Sequence, residues 1–70
     1  MVIDCTFDKL DFGSVFVLLQ SEAVVYCDGF VIFGCFERGG KRFLAANDRF
    51  HVACYIDENK KVYYKKGTVL

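Results

Sequence analysis

Seventy residues make one domain, residues 1–70, and a domain this short buries only about 60% of the surface its unfolded chain exposes, which leaves little scaffold for a catalytic pocket. Nine Lys or Arg balance nine Asp or Glu, so no strong overall field draws the chain to nucleic acid or to an anionic membrane. The 54% apolar content, with eight Phe and four Tyr, is more apolar material than one small core easily hides.

Turn signals recur at short intervals with runs rich in Val, Ile, Phe and Tyr between them, which predicts an antiparallel meander. The first strand is expected over Val2 to Phe7, followed by a turn at Asp11-Phe12-Gly13-Ser14. Val15 to Gln20 reads as the second strand, because Gly13, Ser14 and the β-branched Val15 and Val17 disfavour a helix. The competing reading is a helix over Phe12 to Val24, since Phe12, Val15, Phe16, Leu19 and Ala23 also fit helical spacing. Ala23 to Cys27 and Phe30 to Phe36 form the next two strands, joined by a two-residue hairpin at Asp28-Gly29.

From Phe30 to Phe36 there is no charged side chain. Simple alternation puts Phe30, Ile32, Gly34 and Phe36 on one face and Val31, Phe33 and Cys35 on the other, so both faces need cover. Gly34 suits a bulge or bend. Arg42 to Ala46, Phe50 to Ile56 and Lys61 to Lys65 complete the strands, with Phe50, Val52, Cys54 and Ile56 on the core side of theirs. The expected fold is all-β, an antiparallel meander closing into a small, partly open SH3-like or OB-like barrel, since closure removes unpaired edges.

The apolar stretch from Val24 to Phe36 is interrupted and too short to span a bilayer, and no secretory leader pattern opens the sequence. A cytoplasmic protein without a membrane segment is the expectation, and in that compartment Cys5, Cys27, Cys35 and Cys54 are read as reduced structural thiols. Their spacing, with His51 as the lone histidine, matches no zinc pattern, so no metal or cofactor is expected. Asp11-Phe12-Gly13 is a chance match to a kinase tripeptide, and Gly39-Gly40-Lys41 lacks the spacing of a phosphate loop. Cys54 and His51 sit three positions apart and on a strand would point to opposite faces, which argues against a catalytic dyad and against an enzyme.

Charge is unevenly distributed. Residues 1–35 carry a net −4, whereas residues 36–70 carry +4. Arg38, Lys41, Arg42, Arg49 and Lys65, interleaved with Phe43, Tyr55, Tyr63 and Tyr64, make single-stranded nucleic acid the alternative ligand. The leading expectation is a protein interface using Tyr26, Phe33, Phe36 and Tyr55, either with a second copy in a two-fold homodimer or with a different protein.

The pattern Phe7-x-x-Leu10-x-x-Gly13-x-x-Phe16, followed by the Tyr26 strand and by Asn47-Asp48-Arg49-Phe50-x-Val52, resembles one found in short proteins of tailed bacteriophages and mobile elements. Many of those are small β-barrels of unassigned function. The resemblance implies a compact, non-enzymatic accessory protein, of a class in which some members inhibit host or defence proteins by occupying a surface. It carries no site residues with it.

Overall fold

The computed structural model describes residues 2–64. They form strands β1 (Val2–Cys5), β2 (Val24–Cys27), β3 (Phe30–Arg38), β4 (Lys41–Asn47), β5 (Ala53–Asp57) and β6 (Val62–Tyr64), with a 3₁₀ turn at Phe7–Lys9 and a single helix, α1 (Phe12–Leu19). The six strands make one sheet in chain order. Neighbours from β2 to β6 are antiparallel, but β1 runs parallel to β2, with α1 in the connection between them. The purely antiparallel meander therefore holds only after the first strand. Among the described residues β1 and β6 are opposite edges and do not pair, so the sheet is not closed there; the all-β expectation holds, and the SH3-like or OB-like partly open barrel is not established. Among the described residues, no helix is long and apolar enough to cross a membrane.

The expected strand at Val15 to Gln20 is a helix. Asp11 caps it: its carboxylate accepts the Ser14 hydroxyl at 2.7 Å, and its carbonyl accepts the Val15 amide at 3.0 Å. Helical periodicity places Phe12, Val15, Phe16 and Leu19 together against the sheet, and all four are buried. Burying each large apolar side chain is worth about 1.5–3 kcal/mol, whereas the helix penalties of valine and glycine are about 1 kcal/mol or less per residue. Tertiary burial outweighs local propensity here, because a strand would have turned alternate residues away from the core.

Two glycine turns set the hairpins. At Asp28-Gly29 both residues have positive φ, 45° and 88°, between the paired Cys27 and Phe30, as expected for a two-residue hairpin. The Asp28 carboxylate also accepts the Phe7 amide at 2.8 Å, which ties the turn to the segment leading into α1. Gly39-Gly40 close the β3–β4 hairpin in the same manner.

Within β3 the register shifts between Ile32 and Gly34, so the bulge expected near Gly34 is present. It also changes which side chains share a face. Ile32 is fully buried and Cys35 packs against the core, although they are three positions apart, while Phe36 leaves the set to which simple alternation assigned it. The core lies between α1 and one face of the sheet, and Val25, Cys27, Ile32, Leu44, Ala46, Cys54 and Ile56 supply the sheet side. The opposite face has no layer over it among the described residues.

The segment Phe50 to Val52, expected as the start of a strand, is a loop, and Phe50 is 74% exposed rather than in the core. The loop is organised by Asp48, whose backbone N–H donates to the Val52 carbonyl and whose Oδ1 accepts the amides of Phe50 (2.8 Å) and Val52 (3.0 Å). The same construction recurs at Asp57, where Oδ1 accepts the amides of Asn59 and Lys61, both at 2.9 Å. In each loop the fourth residue, His51 or Lys60, takes a left-handed conformation, with φ of 64° and 66°.

Candidate functional site

Alternation along β4 directs Leu44 and Ala46 into the core, which sends Lys41, Phe43 and Ala45 to the open face. On the neighbouring strands Phe36 pairs with Phe43, and Ala45 pairs with Tyr55, which pairs with Tyr63. The result is an interlocked aromatic cluster. Phe36 stacks on Phe43 with centroids 5.3 Å apart and meets Tyr55 edge-on at 5.1 Å, while Phe43 meets Tyr63 edge-on at 6.2 Å. With Arg38 and Lys41 on the rim, these rings line a shallow concavity of about 320 Å³.

The four expected interface residues have two settings. Phe36 and Tyr55 are in the cluster and in mutual contact, whereas Phe33, at the bulge, and Tyr26, on β2, are 49% and 46% exposed outside it. Phe43 completes the cluster. That it shares a face with Ala45 and not with Leu44 was readable from alternation, but nothing in the sequence alone said which of the two faces the core.

The nucleic-acid set is dispersed. Arg38, Lys41 and Tyr63 share the concavity. Arg42 instead lies on the covered face, its guanidinium 5.0 Å from the Phe16 ring centroid and 5.9 Å from that of Phe12, and it donates to Glu58 Oε1 through both Nε and Nη2. Arg49 packs beside Gly29, at the opposite end of β3 from Arg38. Tyr64 turns to the covered side and donates its hydroxyl to Asp48 Oδ2 at 2.9 Å. Lys65 lies outside the described residues.

Electrostatics hold the edge of the concavity in shape. The Lys61 amide, with help from the Tyr63 hydroxyl and the Asn59 amide, holds the Asp57 carboxyl below its ordinary pKa, and the same carboxylate raises the pKa of Tyr63, whose hydroxyl donates to it at 3.0 Å. The Lys61 ammonium lies 5.1 Å from the Tyr63 ring centroid. Asp48 is lowered in the same way, chiefly by the Val52 amide and then by the Tyr64 hydroxyl.

The thiols are placed differently from a reactive site. Burial pushes Cys27 up to about 12, with Cys5 opposite it on β1 adding to the shift, and burial also raises Cys35 and Cys54. All four are free. Cys54 faces the core while His51 is exposed, so the two do not form a dyad. Among the described residues, no group of three or more His, Cys, Asp or Glu is placed to hold a metal ion. No family model matches the chain, and neither a curated protein nor a solved structure matches it.

Proposed function

We propose that the chain is a non-catalytic protein-binding module that acts by occupying a partner's surface with the open face of its sheet. The observation that supports this reading is the asymmetry of the two faces: α1 and the segment before it cover one, while the other carries the Phe36, Phe43, Tyr55 and Tyr63 cluster, flanked by exposed Phe33 and Tyr26. Such a module fits a phage-type accessory or inhibitor protein working in the cytoplasm. A second copy of the chain is one occupant of this face, giving a two-fold dimer. Single-stranded nucleic acid is the second reading, and the observation that favours it is the placement of Arg38 and Lys41 beside the rings.

The test compares wild type with Phe33→Asp on the open face and with Val17→Asp on the outer surface of α1, where Val17 is 63% exposed. Light scattering at micromolar concentration reports the homodimer, and affinity capture reports a different partner. Association lost in Phe33→Asp and kept in Val17→Asp is the expected outcome. Association indifferent to Phe33→Asp would sink the reading.

A further inference from the structure

The chain has no net charge, yet its aromatic concavity is cationic. Arg38 and Lys41 stand on its rim, both exposed, at the tip of the β3–β4 hairpin. Of the carboxylates near that end, Asp57 holds two amides and the Tyr63 hydroxyl, Glu58 holds Arg42, and Glu37 shares the register position of Arg42, on the covered face rather than on the open one. Among the described residues, Arg42–Glu58 is the only ion pair, which leaves both rim cations without a carboxylate partner.

We propose that the open face receives an acidic segment of a partner protein, with carboxylates meeting Arg38 and Lys41 and an adjacent aromatic or aliphatic side chain seated among Phe36, Phe43, Tyr55 and Tyr63. The proposal rests on the protein-binding reading above and names the chemistry of the partner. Arginine at an interface favours carboxylates, which it pairs in a planar fork, and an apolar floor beside it excludes the water that would screen the pair. The concavity, about 320 Å³, lies at the small end of ligand-site sizes and suits one anchoring side chain rather than a cofactor.

The same features fit a nucleic-acid strand less well. Such a strand needs cations that follow successive phosphates and ring faces free to stack on successive bases. Here the cations gather at one end of β3 and Arg49 lies at the other, with Val31, Gly34 and Ala45 between them. Phe36 and Phe43 already stack on each other, and Lys61 occupies one side of the Tyr63 ring.

The experiment screens a bead-bound library of random peptides against the full chain, against an Arg38→Glu, Lys41→Glu double variant, and against Phe33→Asp, with oligothymidylate as a separate probe. Both charge reversals fall on exposed side chains, and an unchanged amide spectrum confirms that the fold is retained. Wild type is expected to select peptides that join Asp or Glu to an aromatic or aliphatic residue. The double variant is expected to bind those peptides about tenfold or more weakly, the size of one well-placed charge contact. Selected peptides that lack acidic residues but still fail on Phe33→Asp would overturn the acidic-segment proposal and leave protein binding standing. No selection by wild type above the bare-bead background would overturn both. Oligothymidylate binding that is tighter than any peptide and lost in the double variant would overturn both in favour of nucleic acid.

Discussion

Replacing Gly29 by valine tests the turn on which the β2–β3 hairpin depends. Gly29 has φ of +88°, a conformation that costs an ordinary L residue about 1–2 kcal/mol and a β-branched one more. A Cβ built there would lie 3.3 Å from the Arg49 Cβ, tighter than ordinary contact, and Arg49 belongs to the loop held by Asp48, so it yields only at further cost. Together these predict a loss of about 2–3 kcal/mol for Gly29→Val. At roughly 4–8 °C per kcal/mol for a domain of this size, that is a fall in Tm of roughly 10–20 °C. Thermal and urea denaturation followed by circular dichroism would measure it. Two controls separate the contributions. Gly29→Asn should recover much of the loss, because asparagine tolerates positive φ. Gly39→Val carries backbone strain at φ +60° with nothing within 4 Å of the new Cβ, so it should cost less than Gly29→Val. A Gly29→Val loss below about 0.5 kcal/mol, or an asparagine variant as unstable as the valine one, would refute the reasoning.

Other substitutions probe the layers separately. Ile32→Ala, at a fully buried position beneath α1, should cost about 2–5 kcal/mol by equilibrium denaturation, enough to leave a domain this small largely unfolded at ambient temperature. Gly34→Ala should be neutral or slightly stabilising, because its φ is not positive and its Cβ would meet the Ala45 Cβ at an ordinary 3.6 Å, while adding a methyl group to the open face. Acid should destabilise the fold: Asp48 and Asp57 are held below their unfolded value of 3.8, so the stability they contribute is present above that value and is lost as pH falls through the lower folded values. The acid limb of a Tm-against-pH curve should therefore be shallower in Asp48→Asn and Asp57→Asn. At the other extreme, Cys27, raised from 9.0 to about 12, contributes stability that is complete below pH 9 and lost as pH rises through that window, and a Cys27→Ala variant should lose part of the alkaline limb.

Legibility of the fold in the sequence depended on the range of the interactions involved. Asp28-Gly29 was legible because the requirement for positive φ is local and glycine meets it cheaply. Gly34 marked its bulge because a glycine inside an apolar strand is itself a local sign of a bend, but the consequence for Phe36 and Cys35 was not visible, since one extra residue reverses the parity of everything after it. The helix was legible only as the competing reading, through the spacing of Phe12, Val15, Phe16 and Leu19, because Val15 and Val17 argue locally for a strand and the deciding term is the sheet surface that Phe12, Phe16 and Leu19 cover. Of the aromatic strip, Tyr55 and Tyr63 were readable from strand alternation, whereas Phe36 was not, because the bulge reverses its parity, and alternation alone did not say which face Phe43 takes. The separation of Arg42 from Arg38 and Lys41 was only half readable: its parity with Leu44 and Ala46 placed it on their face, but the partner that keeps it there, Glu58, is distant in sequence.

The two aspartate loops explain how so small a sheet keeps one face free without losing order at its edge. Among the described residues β6 has three residues and one neighbouring strand, β5, so by itself it is weakly held. Asp48 and Asp57 build the same loop at opposite ends of β5, and each reaches across with its second carboxylate oxygen to a tyrosine of β6. Because consecutive residues of a strand point to opposite faces, the two bonds clamp opposite sides of it: Tyr64 is fastened to Asp48 on the covered side and Tyr63 to Asp57 on the open one. The clamp on the covered side serves the fold, since Asp48 is itself buried. The clamp on the open side positions the Tyr63 ring against Phe43 before any ligand arrives, and side chains ordered in advance lose less entropy on binding. On the proposed protein-binding reading, a partner meeting this face would find one wall of the concavity already set by the Asp57 carboxylate.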